Sequence, residues 1–134
     1  MTGSFSTAPT LMEALDEVTE RKASLNVQIA EYKVKIFQDK LEIAKQEQKI
    51  APLKIQRETN AYKNAMRKSE ILEYRAEIAK LESSIGKWRV SIALSTNLLQ
   101  TCTNEETELL RLIADRDDKN NNNNNNNQEK TVAR

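Results

Sequence analysis

Nine of the ten isoleucines in this chain fall on a single seven-residue beat, at Ile29, Ile36, Ile43, Ile50, Ile71, Ile78, Ile85, Ile92 and Ile113. Random placement would put about one in seven there. A period of seven is 3.5 residues per turn, slightly tighter than a straight helix. It keeps an apolar row on one neighbour only when helices wrap and pack knobs into holes. With the isoleucines as core position a, Leu15 and Leu99 extend the row. The companion position d holds Leu11, Val18, Leu25, Tyr32, Leu53, Tyr74, Leu81, Trp88, Cys102 and Leu109. The expected fold class is all-α, built from long coiled-coil helices. Two glycines, two prolines and 31% charged residues suit that class.

The start of the first helix can be read from its cap. Thr10 is followed three residues later by Glu13, the spacing of a capping box. Residues 1–9 are small and polar and are expected to be a flexible tail. The seam then runs to residue 50, where Pro52 lacks the N–H that a helix interior needs. Beyond it Arg57, Asn60, Asn64 and Arg67 occupy four successive core positions. These features place helix 1 at 10–51, a bend at 52–59 and helix 2 at 60–118. The run of eight asparagines from Asn120 to Asn127 cannot bury apolar surface. Residues 119–134 are therefore expected to be a disordered tail.

Two apolar stripes separated by a polar gap allow a kinked parallel rod or an antiparallel hairpin. In an in-register parallel pair the flanking positions would oppose Lys35 to Lys40, Glu42 to Glu47, Lys49 to Lys54, Lys63 to Lys68 and Glu77 to Glu82. Only Glu70 with Arg75 would attract. Like charges at such positions oppose self-pairing. The hairpin avoids them and gathers the polar core residues near the bend. Its expected pairs are Leu11 with Leu99, Val18 with Ile92, Leu25 with Ile85, Ile29 with Leu81, Tyr32 with Ile78 and Ile36 with Tyr74.

The seam leaves apolar residues over. Val27, Val34 and Leu41 lie on the far side of helix 1 beside Phe37, and Leu72 and Ala79 hold comparable positions on helix 2. A helix apolar on two sides needs neighbours on both. The expectation is therefore a multi-helix bundle completed by other helical chains, in a homo- or hetero-oligomer.

The chain has no histidine, and its one cysteine, Cys102, sits at a core position without a base beside it. No Gly-rich phosphate loop or metal-ligand spacing is present. An enzyme is not expected, nor a cofactor, a metal or a small-molecule substrate. The expected function is structural, as a non-enzymatic subunit of a protein complex or scaffold. The competing signal is basic: Lys45, Lys49, Lys54, Arg57, Lys63, Arg67 and Lys68 stand against Glu47 and Glu58. Such a segment is the alternative, a module for nucleic acid or an anionic membrane. A net charge of +1 and the presence of only one aromatic in the segment, Tyr62, count against it. With no secretory leader pattern and no apolar run of spanning length, the chain is expected to be soluble and intracellular, cytoplasmic rather than nuclear.

Overall fold

A computed structural model describes residues 10–56 and 60–132 of the chain, with side chains through Lys119. The described residues form two helices packed against each other as an all-α hairpin. Helix α1 spans Leu11–Ile55 and helix α2 spans Ala61–Val132. The expected tail over 1–9 lies outside the described residues.

Each helix starts at a cap that satisfies its first free amides. At α1 the Glu13 N–H donates to Thr10 Oγ1 at 3.1 Å, and the Thr10 N–H donates back to Glu13 Oε2 at 3.4 Å. This is the expected capping box. At α2 the side-chain oxygen of Asn60 accepts from the N–H groups of Tyr62 and Lys63, at 2.8 and 3.4 Å. Asn60 holds a d position, but its side chain caps the helix and is exposed. A hairpin without glycine at its bend thus starts its second helix from an asparagine.

Two boundaries differ from expectation. Helix α1 runs through Pro52 and ends three residues later. Pro52 sits one turn from the helix end, and both it and Gln48, whose carbonyl loses its usual donor, are exposed to water. The Gln56 N–H still reaches the Pro52 carbonyl at 3.2 Å, closing the last turn. At the other end α2 continues through the asparagine run to Val132, where a disordered tail was expected. Extending an existing helix fixes one residue per added hydrogen bond and needs no new nucleus.

The larger correction concerns register. Chain contacts divide the molecule into two units, one of residues up to Asn26 with those from Asn97, the other of Val27–Thr96. In the first, Lys22 meets Glu106 at 3.0 Å and Arg21 meets Glu105 at 3.7 Å. In the second, Tyr32 stacks on Trp88 with centroids 5.8 Å apart, and the Lys49 ammonium lies 5.7 Å from the Tyr74 ring. Tyr32 was expected opposite Ile78 and Tyr74 opposite Ile36, so α2 is displaced by roughly two heptads. The same displacement takes Leu11 with Leu99, Val18 with Ile92, Leu25 with Ile85 and Ile29 with Leu81 out of register. The break between the helices falls later than expected, between Ile55 and Ala61, which shifts the pairing in the same direction. A row repeating every seven residues accepts slips in whole heptads, so its apolar pattern survives the shift.

Candidate interaction surface

The seam absorbs nearly every a and d side chain. Val18, Ile50, Ile85 and Cys102 are buried. Leu11, Leu15, Leu25, Ile29, Ile36, Ile43, Ile71, Tyr74, Ile78, Leu81, Trp88, Ile92, Leu99, Leu109 and Ile113 are half-buried. Among described a and d positions from 11 to 113, only Asn60 is exposed. Polar residues in the seam fall into two kinds. Some are partnered, as Lys22 is by Glu106, and buried Gln46 donates to Glu42 at 3.1 Å. Others are not: Asp39 Oδ2 and Arg67 Nη1 are enclosed without a hydrogen-bond partner.

Trp88 belongs to the packing. Its ring lies at 22° to that of Tyr32, and the Lys35 ammonium sits 4.4 Å from its centroid. The two rings and the cation form one stack in the Val27–Thr96 unit, combining apolar area with attraction between the cation and the ring face. Heptad position alone did not reveal this group, because Lys35 flanks the seam.

In the basic segment Lys45 and Lys49 are exposed and each also makes a contact within the chain. Lys45 pairs with Glu42 at 3.8 Å, Lys49 turns onto Tyr74, and Arg67 is half-buried in the seam. Arg57 lies outside the described residues. Lys54, Lys63 and Lys68 are exposed.

Exposed apolar side chains occur on both helices, with Val90, Leu94 and Leu98 of α2 at 60%, 61% and 57%. Val27, Val34, Phe37 and Leu41 are 57%, 53%, 61% and 49% exposed, and Ile55 is 79%. They belong to a stripe along α1 at positions 23, 27, 30, 34, 37, 41, 44, 48, 51 and 55, in which steps of four and three alternate. Every member except Gln48 is apolar, the smaller ones being alanines. Steps of four and three define a coiled-coil seam. This second seam lies on the opposite side of the helix from the isoleucine row. On α2, Leu72 is 64% exposed and Ala79 is exposed. Gly86 stands on the same side, and a Cβ there would meet nothing within 4 Å.

Chemistry is sparse. Leu25, Leu98 and Cys102 line an open groove whose rim includes Arg21 and Glu105. The cysteine thiol is buried and free. Among the described residues no three His, Cys, Asp or Glu side chains converge as a metal site. Among the described residues the perturbed acid is Glu108, whose carboxyl is held below its ordinary value by a hydrogen bond from Arg111, and that pairing raises Arg111 in turn. Both groups are fully exposed, and they form a surface pair. No described helix is long and apolar enough to cross a membrane. No family model, curated protein or solved structure matches this chain.

Proposed function

We propose that this chain is a non-enzymatic assembly subunit, a helical hairpin that joins a larger complex through its outer surface. One observation carries the reading. The isoleucine seam is covered within the chain, whereas α1 keeps a second seam of coiled-coil spacing exposed from Val27 to Ile55. Apolar side chains repeated over four heptads are unfavourable in water and favour a helical neighbour. The alternative, a nucleic-acid or membrane module at the basic segment, finds less support, since Lys45, Lys49 and Arg67 are engaged within the chain.

The test places a photo-reactive residue at position 37 of the full chain in cells, with Gln28, exposed and off the outer seam, as a polar control. Cross-linking to protein at 37 and not at 28 is the expected result. Equal or absent cross-linking at both positions would sink the reading.

A further inference from the structure

We infer that the outer seam of α1 docks a helix from a different chain whose own apolar stripe is flanked by carboxylates. The inference rests on the assembly reading and names the partner's chemistry. Between Val27 and Ile55 the seam is about 42 Å long, enough for four heptads of a partner helix. Val34, Phe37 and Leu41 form its centre.

The spacing selects a helix over a lipid surface. A helix lying in a membrane interface shows a broad apolar arc, whereas two heptad positions alternating in steps of four and three make the narrow stripe of a helix pair. Alternation of alanine with Val, Leu and Phe also leaves holes into which a partner's side chains fit.

The flanks select an acidic partner. Lys33, Lys40 and Lys54 line one edge with Glu47, and Lys45 lies on the other with Glu31. A second copy paired in parallel does not supply the matching charge. In a parallel pairing of this stripe with itself, Lys40 would face Lys45 and no attractive pair would form. The comparable stripe of α2 is flanked by Lys68, Arg75, Lys80, Lys87 and Arg89 against Glu73 and Glu82, so it is basic too. Acidic residues are plentiful at the far ends of both helices, but there the equivalent positions hold Glu13, Asp16 and Glu20 on α1 and Asn97, Gln100, Asn104, Thr107 and Arg111 on α2 in place of an apolar stripe. Complementary charge and a complementary seam therefore point to a different chain.

The experiment uses the full chain and two synthetic four-heptad helices with identical leucine seams, one flanked by glutamate and one by lysine. Binding is measured by fluorescence anisotropy at low and high salt. The glutamate-flanked probe is expected to bind at least tenfold more tightly than the lysine-flanked one, and less so at high salt. Phe37→Asp is expected to weaken it at least tenfold while helicity and melting temperature stay unchanged, since the ring is 61% exposed. The double variant Lys33→Glu with Lys40→Glu is expected to reverse the preference. Equal binding of the two probes, no binding of either, or indifference to Phe37→Asp overturns the inference. Self-association of the chain, or binding to phosphatidylserine vesicles, that Phe37→Asp abolishes overturns it as well. In each of those cases cross-linking at position 37 still tests the assembly reading on its own.

Discussion

Lys22 and Glu106 occupy a positions that a purely apolar seam would fill with isoleucine, and they meet there at 3.0 Å with about a quarter of each side chain exposed. Taking charge into a half-dry seam gains little net stability, but it penalises registers in which either partner meets an apolar residue. The pair therefore acts on register more than on total stability. Lys22→Glu should destabilise the hairpin by about 1–2 kcal/mol, between the values for exposed and buried pairs. Adding Glu106→Lys should restore most of the loss in a urea-denaturation double-mutant cycle. A coupling energy near zero would remove the pair from the register argument. Asp39 is the converse case, a d-position carboxylate with Oδ2 enclosed and unpartnered. Asp39→Leu replaces it with the residue a d position favours and should raise stability by about 1 kcal/mol in the same assay.

At the scale of the helices, the caps give the sharpest expectation. Asn60 satisfies two amides of the first turn of α2 with one side-chain oxygen. Asn60→Ala should lower stability by about 1 kcal/mol in thermal melts, as loss of a cap generally does. The asparagine run of α2 carries a propensity penalty of roughly 0.5–0.7 kcal/mol per residue relative to alanine. Its amides should exchange with solvent far faster than those around Ile85, and equal protection would show that something holds the run in place. These elements also show what the sequence makes legible. The isoleucine beat and the capping box are local signals, and the all-α hairpin and the start of α1 follow from them. Register is not local: it depends on where the turn falls, and a seven-residue repeat tolerates a two-heptad slip. The discriminating signal was present in Lys22 and Glu106, opposite charges at a positions that satisfy each other only in the observed register. The outer seam was legible because Val27, Val34, Phe37 and Leu41 had no place on the inner one. The contact of Lys49 with Tyr74 was not, since it is a consequence of the register.

For the whole molecule the governing quantity is charge balance. The chain carries 21 Lys and Arg against 20 Asp and Glu, and near neutrality attraction and repulsion nearly cancel. Acid removes one side of that balance. Glu108 illustrates the sign: its folded carboxyl titrates below the ordinary 4.5. Its contribution is therefore present above that value and lost as pH falls through the lowered one. As acid neutralises the carboxylates, the net charge climbs from +1 toward +21, and like charges along two adjacent helices repel. The melting temperature should therefore fall between pH 6 and pH 3. Salt decides whether repulsion is the cause. At pH 3, raising sodium chloride from about 0.05 to 0.5 M shortens the screening length from roughly 14 to 4 Å and should recover part of the loss. At pH 7 the same addition screens favourable pairs such as Arg21–Glu105 as much as unfavourable ones, so the melting temperature should hardly move. If salt fails to stabilise the acid form, the loss comes from individual carboxylate contacts such as Glu108–Arg111 in place of collective repulsion. In that case Glu108→Gln should reproduce part of the acid effect at pH 7.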